Sequence, residues 1–145
     1  MKKLFLLAGT ALLSVSLFAQ NPPTKAEDVM KFKELSFDFG KVKMGTPVTH
    51  EFTFTNIGNS PIIIESALPS CSCTTPHKPD GAIAAGKSDF IAAQYNAANP
   101  GRFNKTVTVK VAGIDMPVVL KITGEVLDAE AYAKYQASRS TSPGR

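Results

Sequence analysis

Several short segments of the chain carry an apolar or aromatic side chain at every second position. In the clearest of them, Val48, His50, Phe52 and Phe54 alternate with Thr49, Glu51, Thr53 and Thr55. Successive side chains of a β-strand point to opposite faces of a sheet, so this period of two predicts strands that cover a core with one face. A chain built from such segments is expected to form an all-β fold.

Turn-forming segments separate the alternating ones. The segments 45–47, 56–61 and 99–101 are rich in Gly, Pro and Asn, which adopt backbone conformations that a strand cannot. Six strands are predicted around them, at residues 34–39, 48–55, 62–68, 87–96, 103–111 and 118–126. One further short strand, in the proline-rich segment 69–81, brings the number to about seven.

Two packed sheets suit these strands better than one. A single antiparallel sheet would leave the apolar residues of one face, such as Phe52, Val107 and Ile122, in water. The run Ile62-Ile63-Ile64 is β-branched throughout, which predicts a strand buried on more than one side. We therefore predict an Ig-like antiparallel β-sandwich of about seven strands.

The start of the chain has the plan of a cleaved secretory signal peptide. Met1-Lys2-Lys3 is a basic start, Leu4 to Phe18 is an apolar stretch, and Ala19 is a small residue at the cut. The apolar stretch is shorter than the roughly 20 residues of a membrane-spanning helix. Cleavage after Ala19 is expected, giving an exported protein, periplasmic or secreted, whose mature chain has no transmembrane segment.

Five regions are predicted along the chain: a signal peptide at 1–19, a linker at 20–33, the sandwich at 34–127, a short helix at 128–137 and a disordered tail at 138–145. The helix is predicted because this stretch is rich in Ala, Glu, Lys and Gln, with Asp128 as its N-cap. One domain with one core fits this length.

Charge argues against a nucleic acid partner. The chain has a formal net charge of +4, and two of its lysines, Lys2 and Lys3, leave with the signal peptide. The remaining lysines are scattered singly, without the basic stripe or interleaved aromatic residues that nucleic acid binding needs.

The chain has two cysteines, Cys71 and Cys73, one residue apart. In an oxidising compartment they are candidates for a disulfide. A ring of three residues stabilises a fold by only about 1.6 kcal/mol and is easily reduced, which makes the pair a redox candidate as well. A second alternative is a Cu(I) site formed with His77. The third is a pair of small apolar side chains that anchor the loop.

Other chemistry is not indicated. The sequence has no nucleophile elbow, no glycine-rich phosphate loop and no recognisable pair of catalytic carboxylates. We therefore expect no enzymatic activity and no cofactor.

Several motifs together resemble one known family. They are Phe37-Asp38-Phe39-Gly40, Phe52 to Gly58, Pro61 to Ile64, Cys71-Ser72-Cys73-Thr74, Pro100 to Phe103 and Ile122 to Val126. The pattern is similar to the DUF1573 family, exported Ig-like proteins of uncharacterised function that are common in Bacteroidetes-type bacteria and related to ASPM/SPD-2/Hydin-type β-sandwiches. The resemblance covers roughly residues 34–127, and it departs from the family at Ser72, where the family usually has glycine.

The expected function follows from this class of fold. Sandwiches of this kind bind proteins through end loops or edge strands, so an exported, monomeric, non-enzymatic module with a protein partner in the envelope or outside the cell is predicted. The alternative is a periplasmic thiol protein that uses Cys71 and Cys73 as a redox couple or for Cu(I).

Overall fold

The computed structural model describes residues 24–140. The predicted signal peptide, the start of the predicted linker and the last five residues of the predicted tail lie outside the described residues. Within residues 24–140, no helix is long and apolar enough to cross a membrane.

Strands form most of the described chain. They are β1 (Met30–Phe32), β2 (Ser36–Lys43), β3 (Val48–Asn56), β4 (Ile64–Pro69), β5 (Thr74–His77), β6 (Ser88–Tyr95), β7 (Gly101–Val111) and β8 (Val118–Leu127). A 3-10 turn at Ala26–Asp28 precedes β1, and helix α1 (Ala129–Ser140) follows β8. The seven predicted strands correspond to β2 through β8, including the short strand in the proline-rich segment.

The strands form two four-stranded sheets, one in the order β1-β3-β6-β5 and the other in the order β2-β8-β7-β4. The predicted Ig-like β-sandwich is confirmed. One detail of the prediction is wrong, because β2 and β8 pair in parallel while the other pairs are antiparallel. These two strands are far apart in the chain, so no hairpin turn fixes their relative direction.

The core lies between the sheets, where the period-two pattern places it. Phe52 and Phe54 of β3 and Ile91 of β6 face Val107 of β7 and Leu120 of β8, and all five are buried. Burying one side chain of this size stabilises the fold by about 1.5–3 kcal/mol. The strand alternation therefore accounts for the main packing of the domain.

The predicted linker at 20–33 is corrected by the structure. Met30, Lys31 and Phe32 form β1, which pairs antiparallel with the end of β3. Met30 is buried, as are Ala26 and Val29. A three-residue strand is too short to display a period of two, so the sequence pattern did not reveal it.

The isoleucine run is also corrected. Ile62 and Ile64 are buried, but Ile63 is half exposed. Only Ile64 belongs to β4, while Ile62 forms an isolated bridge with Ile83. The run therefore alternates like an ordinary strand with one buried face.

Helix α1 begins after Asp128, whose carboxylate accepts a hydrogen bond of 2.8 Å from the backbone N–H of Ala131. Asp128 is the N-cap, as predicted. The helix has no buried residue and extends to Ser140, three residues further than predicted.

Candidate functional site

The turn after β3 is held in shape by one buried side chain. Asn56 is 0% exposed. Its Nδ2 donates to the backbone oxygens of Ser60 at 2.9 Å and Ile83 at 2.8 Å, and its Oδ1 accepts from the N–H of Gly58 at 2.9 Å. Because polar contacts fix this turn, its apolar side chains are not needed to hold it in place.

Two isoleucines stand out from the core at this end of the sandwich. Ile57, inside the turn, is 50% exposed, and Ile63, just before β4, is 51% exposed. Both are tied to the scaffold through their backbones. The N–H of Ile57 donates to the oxygen of Val29 at 2.8 Å, and the oxygen of Ile63 accepts from the N–H of Ala112 at 3.0 Å.

An open groove of about 1000 Å³ lies between these residues, and we call it the end groove. Its walls are the segments 57–63 and 111–114 together with Thr24, Asp28 and Val29. The carboxylate of Asp28 accepts hydrogen bonds from the backbone N–H groups of Thr24 and Lys25, at 3.2 and 3.0 Å. The acidic group in the wall of the groove is thus engaged with its own turn, and the groove presents apolar and polar surface in similar amounts.

Gly58 allows the turn to lie close to the scaffold. A Cβ at this position would stand 3.3 Å from Oδ1 of Asn56 and 3.4 Å from Cγ1 of Val29. Such distances are tighter than most Cβ contacts, so a side chain would press the turn away from Val29. The Asn56-Ile57-Gly58 motif therefore shapes one wall of the end groove.

The two cysteines lie at the opposite end of the sandwich, in the loop that carries the chain from β4 to β5. Their sulfur atoms are bonded as a disulfide, and their Cα atoms are 5.3 Å apart. The N–H of Thr74 donates to the oxygen of Cys71 at 3.3 Å, which closes a turn and brings the cysteines together. Ser72 is accommodated there without a positive φ, since Ala97 is the one non-glycine residue with that conformation among residues 24–140.

The surroundings of the two sulfur atoms differ. Both cysteines are half-buried, and Cys73 packs against the hydrophobic core. Oγ1 of the buried Thr74 lies 3.7 Å from Sγ of Cys71. One sulfur therefore has a polar neighbour and the other an apolar one.

His77 is exposed on β5, where it pairs with Ala92 of β6. In the disulfide, neither Cys71 nor Cys73 carries the thiolate that would bind Cu(I). No group of three metal-ligating side chains that could hold a metal ion occurs in the part of the chain that the structure describes.

Motif residues from three strands meet where β7, β8 and β2 lie side by side. A Cβ on Gly124 would stand 2.7 Å from the ring of Phe103 and 3.0 Å from the backbone oxygen of Gly40. The Phe103 ring stacks on Tyr95 of the other sheet, with ring centroids 4.0 Å apart. Gly124 thus leaves the space that this ring occupies between the sheets.

Glu125, the next residue, faces outward. Its carboxylate accepts a hydrogen bond from Lys41 and lies 3.8 Å from Nε of Arg102. The hydrogen bond from Lys41 is the main cause that lowers the pKa of Glu125; burial opposes it, and the positive charges of Lys41 and Arg102 each lower the pKa by less. An ionised carboxylate paired in this way joins the strands at the surface.

His50 has a packing role. Its ring stacks on Phe37 of the facing sheet, with centroids 3.6 Å apart, and meets Phe52 edge-on at 4.7 Å. Its Nε2 lies 3.0 Å from Oε1 of Glu34. The histidine fills the seam between β2 and β3.

The end groove was not predicted from the sequence. The sequence does hint that Ile57 is exposed, since it is an apolar β-branched residue inside an otherwise polar turn. It does not indicate that Ile63 is exposed, because the run of three isoleucines predicts burial. The structure therefore adds a candidate binding surface to the disulfide loop that the sequence singled out.

Comparison with known proteins places the domain in a family. A sequence profile described as "Protein of unknown function (DUF1573)" matches residues 30–126, so the match starts at the first residue of β1. The curated proteins contain no match to the sequence.

Solved structures share the fold at low identity. A protein of unknown function from Porphyromonas gingivalis is 16% identical, with a TM-score of 0.58 over 67% of this chain and 46% of that one. The ASH/PapD-like domain 7 of human CEP192 is 10% identical, with a TM-score of 0.58 over 84% of this chain and 99% of that one. The VesB protease of Vibrio cholerae is 15% identical, with a TM-score of 0.54 over 70% of this chain and 33% of that one.

This chain thus spans less than half the length of the Porphyromonas protein. At these identities the likeness concerns the fold alone, a β-sandwich of the Ig-like and PapD-like kind.

Proposed function

The chain belongs to the DUF1573 family, and we propose that it is an exported, non-enzymatic module that binds another protein of the envelope or the extracellular space through the end groove. The observation that carries this proposal is the pair Ile57 and Ile63, each about half exposed while its backbone is hydrogen-bonded to the scaffold. Covering apolar surface stabilises a complex by roughly 25 cal/mol per Å² before the cost of association.

The shape of the end groove favours a protein over a small molecule. Small-molecule sites usually enclose most of the ligand's surface, whereas this groove is open to solvent. Its exposed apolar side chains are rimmed by the polar turn residues Asn59 and Ser60, as in many protein interfaces. A partner that inserts one or two apolar side chains between Ile57 and Ile63 fits this surface.

The roles of the other polar residues support a non-enzymatic module. The side-chain hydrogen bonds of Asn56 go to its own turn and to Ile83, and the carboxylate of Glu125 is paired with Lys41. These groups are engaged in holding the fold together, so binding is the function that the described surface favours.

Export is the first prediction of this proposal. Mature protein recovered from the envelope or the medium is expected to begin at Gln20, as determined by N-terminal sequencing and intact mass. Replacing Leu12 and Leu13 with arginine interrupts the apolar stretch, so this variant is expected to remain in the cytoplasm as a precursor. Wild-type protein that keeps Met1 and stays in the cytoplasm would contradict export.

Loss of binding is the second prediction. Ile57→Asp and Ile63→Asp each place a charge in the apolar contact, and each is expected to reduce co-purification of an envelope or secreted partner at least tenfold. The matched control is Met44→Asp, since Met44 is 40% exposed in the turn between β2 and β3, at the opposite end of the sandwich. If Ile57→Asp and Ile63→Asp retained as much of the partner as Met44→Asp, binding at the end groove would be refuted.

A further inference from the structure

We propose that the Cys71–Cys73 disulfide is a thiol–disulfide exchange site that an external dithiol reduces, and that Thr74 is a positioning residue that stabilises the sulfur released at Cys71. This site lies at the opposite end of the sandwich from the end groove. The inference is therefore independent of the binding function proposed above.

The position of the loop makes the disulfide accessible to another protein. The loop joins β4 to β5, and each of these strands lies at the edge of its sheet. The cysteines are half-buried, while Ser70 and Ser72 beside them are exposed. An extended segment carrying a thiolate can therefore approach the sulfur atoms along the sheet edge.

The size of the ring argues against a purely stabilising role. A disulfide stabilises a fold mainly by restricting the unfolded chain, and this effect grows with the number of residues enclosed. The bond between Cys71 and Cys73 encloses one intervening residue. A bond that restricts the unfolded chain so little is better suited to being opened and closed.

Thr74 distinguishes the two sulfur atoms. Thr74 is 2% exposed, and its hydroxyl lies 3.7 Å from Sγ of Cys71, to which it donates a hydrogen bond. A disulfide sulfur is a weak acceptor, whereas a thiolate is a strong one, so this hydroxyl interacts better with the reduced state. Cys73 packs on the apolar core, where a thiolate would be disfavoured. The arrangement selects Cys71 as the leaving group.

The exchange runs in two displacements. A thiolate of the external dithiol attacks Sγ of Cys73, the bond to Sγ of Cys71 breaks, and its electron pair stays on Cys71, whose thiolate accepts the Thr74 hydrogen bond. The second thiolate of the dithiol then attacks the dithiol sulfur that is bonded to Sγ of Cys73. The bond between these two sulfur atoms breaks, and Cys73 leaves as a thiolate. Both cysteine thiolates take up protons from solvent, and the dithiol leaves as a disulfide, having given up two electrons.

The test compares Thr74→Val with Thr74→Ser in the purified protein. The probe is dithiothreitol, and the rate of reduction is followed by quenching, alkylation and intact mass. Thr74→Val keeps the shape but lacks the hydroxyl, so its reduction is expected to be about tenfold slower. Thr74→Ser keeps a hydroxyl and is expected to stay within about twofold of wild type. Thr55→Val, which removes a hydroxyl bonded to Ser88, is the control and is expected to leave the rate unchanged.

A pH profile separates this positioning role from a loss of packing. In the reduced protein, alkylation at Cys71 is expected to reach half its maximal rate at a higher pH in Thr74→Val than in wild type, and to be restored in Thr74→Ser. Circular dichroism verifies that each variant is folded, and Thr74→Ala replaces the valine variant if that one fails to fold. Equal rates and equal pH profiles in folded wild type and a hydroxyl-free variant would overturn the proposal.

Discussion

Replacing Asn56 with alanine is expected to lower the free energy of unfolding by about 3–5 kcal/mol. The substitution removes three hydrogen bonds at once: the N–H of Gly58 and the oxygen of Ser60 lose their side-chain partner, and the oxygen of Ile83 keeps only the bond from the N–H of Ile62. Each buried polar group that loses its partner costs about 1–3 kcal/mol of stability. The total loss is therefore large for a single side chain in a turn.

Urea unfolding of Asn56→Ala measures this effect directly. The matched control is Asn59→Ala, because Asn59 belongs to the same turn but is exposed, and it is expected to change stability by less than about 0.5 kcal/mol. Asn56→Asp keeps the acceptor for Gly58 but loses both donors, so it should also be strongly destabilised. A loss below about 1 kcal/mol in Asn56→Ala would mean that the turn does not depend on this side chain.

Replacing Gly124 with alanine is expected to lower the free energy of unfolding by about 2–3 kcal/mol. The new Cβ would stand 2.7 Å from the Phe103 ring, and the ring cannot yield freely because it is stacked on Tyr95. On the other side, the backbone oxygen of Gly40 at 3.0 Å blocks a compensating shift of β8.

The control for Gly124→Ala is Gly81→Ala, where a Cβ would meet nothing within 4 Å. Urea unfolding is expected to show no loss of stability at Gly81. The double variant Phe103→Leu with Gly124→Ala is expected to lose less unfolding free energy than the two single variants lose together, since the smaller side chain relieves the clash. Strict additivity would show that the ring is not the cause.

These two residues explain what the family motifs do. The sequence indicated that Asn56 and Gly58 form a turn, but the buried position of Asn56 and its hydrogen bond to Ile83 depend on a segment distant in the chain. In the same way, the sequence placed Phe103 and Gly124 on different strands, and only the pairing of β7 with β8 brings them into register. The residues of both motifs therefore make tertiary contacts that hold the fold together.

The fold itself could be predicted because a period of two decides which side chains are buried. Phe52, Val107 and Ile122 were expected between two sheets, and all three are buried there. The sequence pattern did not reveal strand β1, because three residues are too few to show a period of two. It did not reveal the parallel pairing of β2 with β8 either, because the relative direction of these strands depends on chain topology.

The candidate sites were predictable to different degrees. Cys71 and Cys73 are conspicuous in a sequence with two cysteines, but the neighbouring hydroxyl of Thr74 becomes significant only through its distance to Cys71. The end groove exists because the segments 57–63 and 111–114 meet at one end of the sandwich. That meeting follows from the order of the strands in the sheet, which local sequence patterns do not specify.

The central claim is that the end groove binds a protein outside the cytoplasm. It is tested most directly by placing a photo-reactive amino acid at position 57 or 63 in living cells, with position 44 as the control. The account predicts one saturable crosslink to an envelope or secreted protein from positions 57 and 63, and none from position 44. It also predicts that Ile63→Asp abolishes the crosslink from position 57. Absence of a crosslink at both groove positions, or the same crosslink from position 44, would contradict it.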